Sequence, residues 1–259
     1  PLAVRERERE ILLRRARLPD PPVEPARPSW AIRPDDGHGR QRWRIGGGAR
    51  SRAGGRGGSF VELGWRPGYH SLADRSQGFL PGAAIQGFSA RLRWDEAERR
   101  LTVRDLRLAE ILSAAPWDSW TRRPSWGLGT GLAPAYELGK PPSESLVYDA
   151  HFAAGLSAAP WDGALVYALA GPEGAVGSPL RDGWRAGGDV RAGFAVGLTP
   201  RWRVAGEGAL AGMLLGDRTP APRARLDVNW APARDFALRA EGFWRGHYRE
   251  AGLYALFYR

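Results

Sequence analysis

The chain of 259 residues contains no cysteine, only one methionine and a single lysine, Lys140. Without a thiol, the chain itself supplies no disulfide, no thiolate nucleophile and no cysteine-ligated metal site. It has no run of the ~18 apolar residues that a transmembrane helix needs, and its mean hydropathy is −0.41. These absences do not exclude a membrane β-barrel, in which apolar residues alternate with polar ones.

Positive charge is abundant and is carried almost entirely by arginine, giving a net charge of +10. Guanidinium groups pair with carboxylates and phosphates through two hydrogen bonds at a time. A basic chain first suggests a nucleic-acid partner. Here the arginines are interleaved with Asp and Glu along the whole chain, so we expect no nucleic-acid partner.

Residues 1–36 differ in composition from the rest of the chain. The stretch VRERERE ILLRRARL predicts a short helix, and the prolines of PDPPVEPARPSW stop it. We interpret residues 1–36 as the tail of an upstream domain followed by a Pro-rich linker, and residues 37–259 as a second domain.

Most of residues 37–259 alternate between apolar and polar residues. In FSARLRWD, for example, the apolar Phe88 to Trp94 alternate with the polar Ser89 to Asp95, which is typical of strands with two different faces. About twelve strands are predicted, at 40–52, 58–69, 83–95, 99–112, 124–137, 145–158, 163–171, 185–199, 201–216, 221–231, 235–246 and 250–259. Strand 99–112 alternates poorly.

Three features favour an antiparallel outer-membrane barrel over a soluble barrel or sandwich. The predicted strands are about 10 to 13 residues long, near the ~9–11 that cross a bilayer at a tilt. The polar face mixes both charge signs, as a narrow lumen requires. Trp and Tyr fall near strand ends, as in an interfacial aromatic girdle. These predicted interface aromatics are Trp94, Trp117, Trp161, Trp202, Trp230, Trp244 and Tyr248.

The last residues, EAGLYALFYR, end the chain inside a predicted strand. This segment resembles the terminal-strand signal that is read during assembly of bacterial outer-membrane proteins. The residues that carry the resemblance are Gly252, Tyr254, Phe257 and Tyr258.

The hexapeptide SAAPWD occurs twice, at Ser113–Asp118 and at Ser157–Asp162. Each copy ends a predicted strand and contains Pro followed by Trp-Asp, which favours a turn. We interpret it as one turn used twice, with its Trp near an interface, and not as a catalytic motif.

A more specific resemblance lies in residues 37–135. The stretch from Phe60 to His70 matches F-V-E-L-G-x-R-P-x-Y-H, Leu80 to Ile85 matches L-P-G-A-x-I, and Arg123 to Trp126 is similar to an R-P-x-S-W stretch. These segments resemble the C-terminal, DUF7840-like β-barrel region of bacterial proteins with an Lnb-type N-terminal periplasmic domain, the DUF4105 group. The motif residues are Glu62, Gly64, Arg66, Pro67, Tyr69, His70, Leu80, Pro81 and Gly82.

In such proteins the upstream domain is papain-like, with a Cys and a His, and is related to lipoprotein acyl transfer. The C-terminal barrel has no assigned activity. Because this chain has no Cys, that catalytic residue cannot be carried over to any position. The resemblance therefore implies an anchor or partner for an enzyme and not the enzyme itself.

The polar strand faces predict a charge network in the lumen rather than a catalytic centre. Its members are Arg91, Arg93, Asp149, His151, Asp189, Arg191, Arg203, Glu207, Arg225, Asp227, Arg239, Glu241 and Arg245. None of the four histidines has HxH or HxxxH spacing, so we predict no metal, no cofactor and no catalytic residue. A paired Arg/acid site for an anionic lipid or an acyl chain is the alternative interpretation of the network.

The leading hypothesis is a bacterial outer-membrane barrel that acts as the membrane-embedded anchor or subunit of a larger periplasmic or outer-membrane protein or complex, without catalysis of its own. Its expected partners are phospholipid or lipopolysaccharide and other outer-membrane or periplasmic proteins. Two alternatives stay open. One is a small-solute or anion channel with an Arg-rich lumen. The other is a barrel-embedded lipid hydrolase or acyltransferase, for which His70 or His151 with Ser71 or Ser89 is all that the sequence offers.

Overall fold

The computed structural model describes residues 2–16, 36–52, 57–68, 70–118, 120, 122–140 and 145–259. The chain divides into two compact units, Pro1–Ile32 and Arg33–Arg259. The first contains one helix, α1 (Leu2–Ala16), which confirms the short N-terminal helix. The predicted Pro-rich linker falls on residues 17–35, outside the described residues. No helix in the described ranges is long and apolar enough to cross a membrane.

The second unit is a single antiparallel sheet of 13 strands. The strands are β1 (Arg42–Arg52), β2 (Gly58–Arg66), β3 (Ala83–Gln86), β4 (Ser89–Asp95), β5 (Arg100–Ser113), β6 (Ser125–Pro134), β7 (Leu146–Ala158), β8 (Ala164–Val176), β9 (Trp184–Gly197), β10 (Trp202–Gly216), β11 (Ala221–Ala233), β12 (Phe236–Arg245) and β13 (Tyr248–Tyr258).

The sheet closes on itself. The last strand, β13, pairs with β1 from Arg42 opposite Tyr258 to Arg52 opposite Tyr248. The short strand β3 and the strand β4 pair in succession with the same neighbour, β5. The structure is therefore a closed barrel of 12 strands with one extra short strand, as the alternation predicts. Gly87 and Phe88 interrupt the segment that the sequence predicts as one strand, 83–95.

The outer face of the barrel is apolar and exposed. A large apolar side chain left in water forgoes about 1.5–3 kcal/mol of burial free energy, whereas lipid would cover it. Exposed residues of this kind on the strands include Ile45, Val61, Leu63, Leu92, Phe152, Leu156, Val166, Val190, Leu210, Leu226, Leu238 and Leu253. Apolar residues outside and charges inside make this a membrane barrel of the bacterial outer-membrane type.

The poor alternation of β5 has a structural cause. The register between β4 and β5 shifts between the pairs Arg91–Asp105 and Leu92–Val103, so that Arg104 is left without an opposite residue. As a result Arg104 and Asp105, although adjacent, are both buried. A second shift on the β6 side omits Leu108. These are β-bulges, each of which changes the face of the residues that follow it.

The two ends of the barrel differ. We call the end where β1 begins and β13 ends the terminal end, and the other the opposite end. The connection between β2 and β3 lies at the terminal end, and we call its residues 70–82 the plug. A 3₁₀ helix, Tyr136–Leu138, follows β6 at the opposite end, and we call it the cap.

Both SAAPWD copies lie at the terminal end, where β5 and β7 end. The backbone N–H of Trp117 in the first copy donates a 2.8 Å hydrogen bond to the carbonyl of Ser157 in the second. The Ser157 hydroxyl is also 2.9 Å from that of Ser125. The repeated hexapeptide thus forms two connections that contact each other.

We expect Leu210→Arg to lower the stability of the barrel in lipid by about 2–4 kcal/mol, because Leu210 lies midway along β10 and faces the bilayer centre. Its matched control is Leu198→Arg, in the turn before β10. The two leucines are 62% and 63% exposed, but arginine near the interface costs only about 0–1 kcal/mol. Urea unfolding in phospholipid vesicles measures both, and equal effects would contradict the bilayer placement.

Candidate functional site in the barrel lumen

The structure places the predicted lumen residues on the inner face of the barrel. Arg91, Asp149, His151, Arg191, Glu207, Arg225, Asp227, Arg239, Glu241 and Arg245 line a central cavity of about 300 Å³. The other three have partners on the same face. Arg93 pairs with Glu62, Asp189 pairs with Arg191, and Arg203 donates a hydrogen bond to the Leu72 carbonyl.

Glu62 on β2 is one centre of the network and is fully buried. Its Oε1 lies 3.1 Å from Arg44 Nη2 on β1, and its Oε2 lies 2.7 Å from Arg93 Nη2 on β4. Arg44 also donates two hydrogen bonds, of 3.0 and 3.1 Å, to the two oxygens of Glu241 on β12. One chain of charges therefore crosses from β4 to β12.

Glu250 on β13 continues this chain. Its carboxylate accepts hydrogen bonds from Arg93 at 2.7 Å, from Arg104 at 3.2 Å and from the Tyr248 hydroxyl at 2.7 Å. The guanidinium of Arg93 also stacks 3.7 Å above the Phe60 ring, a cation–π contact that strengthens when water is excluded.

A second network covers the opposite wall. Arg223 on β11 donates hydrogen bonds of 2.9 and 2.8 Å to the two oxygens of Glu173 on β8, and one of 3.2 Å to Asp189 on β9. Arg191 pairs with Asp189 at 2.5 Å and lies 2.9 Å from His151 Nε2. The lumen is thus crossed by ion pairs instead of being lined by solvated charges.

Asp74 joins the plug to the barrel wall and has no exposed surface. Its Oδ2 accepts hydrogen bonds of 3.0 Å from Arg66 Nη2 and 2.8 Å from the Ser71 backbone N–H. Its Oδ1 accepts hydrogen bonds from Arg239, and from the Tyr258 hydroxyl at 2.8 Å. One carboxylate therefore connects the plug to β2, β12 and β13.

Apolar and aromatic contacts hold the rest of the plug. Leu72 and Ala73 pack against alanines and leucines that face the lumen. The ring of His70 stacks on Phe79 with centroids 4.1 Å apart, and His38, just before β1, packs on Tyr258 at 4.1 Å. The plug is thus packed against the inner wall at the terminal end of the lumen.

The cap is held at the opposite end in the same way. Glu137 Oε1 accepts hydrogen bonds of 2.5 Å from Arg185 and 3.0 Å from Arg245. Tyr136 stacks on Tyr248 with ring centroids 4.0 Å apart. Burial favours a higher pKa for Glu137, but the attraction of Arg245 and Arg185 outweighs it and lowers that pKa. The cap carboxylate therefore stays charged.

His38, His70 and Asp74 form the cluster that is geometrically closest to a metal site within the described residues, with ligand atoms all within 4.8 Å. His38 Nδ1–H donates to the Gly39 carbonyl at 2.8 Å, so Nε2 carries the lone pair that faces His70 Nδ1 at 3.3 Å. Two imidazoles and a carboxylate are a common donor set for divalent metals.

The surrounding charges work against a cation. Asp74 is already bound by Arg66 and Arg239, and like charges 4 Å apart repel by about 4 kcal/mol per unit pair near a protein surface. Burial lowers the pKa of His70 to about 3, against the attraction of Asp74, and burial also lowers the pKa of His38. Burial would raise the pKa of Asp74, but Arg239 and Arg66 hold it well below its usual value. We interpret the cluster as two neutral histidines beside a salt bridge.

The candidate hydrolase residues do not form a Ser–His pair among the described residues. Ser71 Oγ is buried without a hydrogen-bond partner, and Ser89 Oγ accepts a 2.6 Å hydrogen bond from Gln86. His70 faces His38, and His151 faces Arg191. A serine activated by a histidine would need a hydrogen bond between the two.

The predicted interface aromatics differ in exposure. Five of them, Trp94, Trp117, Trp161, Trp202 and Trp244, are exposed and Trp230 is half-buried. Tyr248 is a correction, because it is fully buried and points into the lumen. It begins β13 on the inner face, so its hydroxyl binds Glu250 and its ring packs on the cap.

The terminal-strand residues also divide between the two faces. Tyr254 and Tyr258 are buried in the lumen, and Arg44 stacks 3.7 Å above the Tyr254 ring. Phe257 faces outward, 5.3 Å from Phe236 between ring centroids. Gly252 lies inward, where a Cβ would come 2.7 Å from the Tyr254 hydroxyl.

The family-motif residues lie on β2 and in or beside the plug. Glu62 pairs with Arg44 and Arg93, and Arg66 pairs with Asp74. A Cβ at Gly64 would lie 2.6 Å from the Arg44 side chain. Gly82 has a φ of +76°, and a Cβ there would lie 2.1 Å from the Ala114 carbonyl. Pro67 follows β2, and Leu80 and Pro81 are exposed. Tyr69 lies outside the described residues.

Sequence reasoning missed several members of the networks. Asp74 and Glu137 lie in connections between strands, where no alternation of apolar and polar residues indicates which side chains point inward. Arg104 lies at a bulge. Arg44 and Glu250 lie on β1 and β13, two strands for which the sequence analysis assigned no residue to the lumen.

Comparison with curated proteins finds no matching sequence. Among solved structures, the chain is similar to the NanC porin at 10% identity, covering 84% of this chain and 99% of that one with a TM-score of 0.48. It is also similar to the COG4313 outer membrane channel from Pseudomonas putida F1, at 10% identity over 85% and 95% of the chains with a TM-score of 0.47. A third is outer membrane phospholipase A from Escherichia coli, at 12% identity over 84% and 90% with a TM-score of 0.39.

These identities are too low to transfer any functional residue to this chain. The sequence itself gives a stronger match: residues 31–258 fit a family described as Domain of unknown function (DUF7840), and the chain belongs to this family.

Proposed function

We propose that the barrel is a closed outer-membrane anchor or subunit of a larger periplasmic or outer-membrane assembly, without catalysis of its own. The observation that supports this proposal is that a part of the chain is held at each end of the lumen by a buried carboxylate. The plug is held by Asp74 at the terminal end, and the cap is held by Glu137 at the opposite end.

A sealed lumen suits an anchor because a porin needs a continuous water-filled passage. Withdrawing the plug would separate Asp74 from Arg66 and Arg239, leaving buried charges without partners. Breaking a buried ion pair costs about 3–5 kcal/mol, and the cap adds a second such group in Glu137. Spontaneous opening of both ends at once would therefore be rare.

The resemblance to DUF4105 proteins suggests what the barrel anchors. In those proteins an Lnb-type periplasmic domain precedes the barrel. Strand β1 begins at the terminal end, beside the plug and the two SAAPWD connections. We propose that this end faces the periplasm and that periplasmic partners, whether part of the same protein or separate, meet the barrel there.

The channel alternative is supported by one observation, the arginine-lined cavity of about 300 Å³. It requires that the plug and cap leave the lumen under working conditions. The hydrolase alternative has less support, because Ser71 and Ser89 make no hydrogen bond to a histidine. Conductance separates the channel from the anchor.

We expect the wild-type barrel to pass no steady current in planar bilayers. Asp74→Ala and Glu137→Ala should each leave the barrel closed, because the cap stays in place in the first variant and the plug in the second. The double variant should conduct in discrete steps, since both inserted segments lose the carboxylate that holds them. Single-channel recording at low voltage measures this.

The control for these variants is Asp162→Ala, an exposed aspartate in the second SAAPWD turn, which should stay closed alone and combined with Glu137→Ala. Folding of each variant is checked by its faster gel migration without boiling. Steady wild-type conductance would overturn the sealed anchor and favour the channel.

We also expect acid to loosen the plug. The pKa of His70 is lowered from 6.5 to about 3 in the folded barrel, so the unfolded chain binds a proton more readily. The stability contributed by the neutral ring is complete above pH 6.5 and is lost progressively as the pH falls towards 3. The denaturant midpoint should therefore fall between pH 7 and pH 4, and His70→Gln should flatten this dependence.

The matched variant here is His247→Gln, at an exposed turn of the opposite end, which should keep the wild-type pH dependence. An identical pH dependence in wild type and His70→Gln would show that the buried plug histidine does not contribute.

A further inference from the structure

At the plug end of the lumen, three arginines share the carboxylate of Asp74. Arg42 Nη1 lies 3.6 Å from Asp74 Oδ1, and Arg239 binds the same oxygen. Arg66 also pairs with Asp74 at 3.0 Å. Asp74 carries one negative charge, so Arg42 and Arg239 alone already exceed it.

Two further hydrogen bonds at this end go to uncharged carbonyl groups. Arg239 Nε donates a 3.1 Å hydrogen bond to the side-chain carbonyl of Asn229, and Arg203 Nε donates to the backbone carbonyl of Leu72. Within the described residues, neither Arg42 nor Arg203 makes an ion pair with another carboxylate. Elsewhere in the lumen, arginines such as Arg44, Arg93 and Arg223 each meet two carboxylates.

Two hydrogen-bonding groups next to Asp74 are buried without a partner. Arg42 is 8% exposed, and its Nη1 makes no hydrogen bond. The Ser71 hydroxyl is also buried and unpartnered, although its backbone N–H binds Asp74 at 2.8 Å. Both residues line the central cavity. A buried charged donor without an acceptor is costly, so the site is suited to a ligand that accepts hydrogen bonds.

We propose that the inner surface of the plug binds a phosphate group, through Arg42 Nη1 and Ser71 Oγ, in the positive field of Arg203 and Arg239. A phosphate suits this site better than a carboxylate, because it brings more negative charge to a group of arginines and its oxygens fit a guanidinium fork. The group belongs either to a small phosphate in the cavity or to a lipid headgroup that reaches it.

The first test titrates inorganic phosphate into the whole refolded chain in detergent, with chloride at matched ionic strength as the reference. A ligand that binds the folded state raises the melting temperature in a saturable way. Arg42→Gln should weaken the apparent affinity by about tenfold or more, because it removes a charged donor. Ser71→Ala should weaken it by a smaller factor.

The matched control is Arg50→Gln, at the other end of the same strand face, where Arg50 pairs with Asp95 and Glu98. It should lower the basal melting temperature but leave the phosphate-dependent rise intact. If Arg42→Gln does not fold, Ser71→Ala alone decides the test, since it removes only one hydroxyl.

The second test distinguishes the two sources of phosphate. Native mass spectrometry of barrel purified from outer membranes would show a lipid-sized adduct, lost in Ser71→Ala and Arg42→Gln, if the ligand is a headgroup. Saturable stabilisation by inorganic phosphate without a lipid adduct would identify a small phosphate.

The proposal is overturned if neither stabilisation by phosphate nor a lipid adduct is seen. It is also overturned if Arg42→Gln, Ser71→Ala and Arg50→Gln change these signals equally. The barrel could be closed and non-conducting whether or not it binds phosphate. Failure of the phosphate proposal would therefore leave the anchor proposal standing, and the two failures can be told apart.

Discussion

Most charges inside the lumen pair with charges from other parts of the chain, and this pairing holds the barrel in one arrangement. Outside the barrel there is lipid, so a charged side chain has no alternative partner there. Glu62 on β2 reaches Arg44 on β1 and Arg93 on β4, and Arg93 continues to Glu250 on β13. A shift of register by one residue would turn all of these groups towards lipid. The ion pairs therefore specify the pairing of the strands as well as filling the space between them.

The same arrangement explains how much of the barrel could be predicted from the sequence. A strand with lipid on one side and a charged lumen on the other has to alternate, so period two located the strands and assigned residues such as Arg191 and Glu241 to the inner face. The prediction was weakest where the backbone departs from a regular strand. One of the two bulges in β5 brings Arg104 and Asp105 to the same side. The sequence predicts a strand that ends at residue 171, because a proline follows and removes one N–H donor from the sheet. In the structure, β8 continues through Pro172 to Val176.

The residues that close the lumen could not be predicted in this way, because they lie in connections. Asp74 and Glu137 are acidic residues in segments that ordinarily lie at a surface, and nothing in their spacing indicates that they turn inward. Tyr248 was misplaced for a related reason. A tyrosine at a strand end is typical of a membrane interface, but here the cap offers its ring a stacking partner and Glu250 accepts a hydrogen bond from its hydroxyl. The content of the lumen decides these positions, and that content depends on residues far apart in the chain.

Sealing and binding are coupled in this lumen because both depend on the plug. Along the walls, arginines such as Arg93 and Arg223 each meet two carboxylates, so little attraction remains for a ligand. At the plug the ratio is reversed, and the one carboxylate of Asp74 is shared by Arg42, Arg66 and Arg239. An anion bound there would add negative charge beside the guanidinium groups that hold Asp74 and would reduce the repulsion among them. Such a ligand would favour the closed state over the open one, because the site exists only while the plug is in place. The charge surplus would then strengthen the seal when an anion is bound and weaken it when the site is empty.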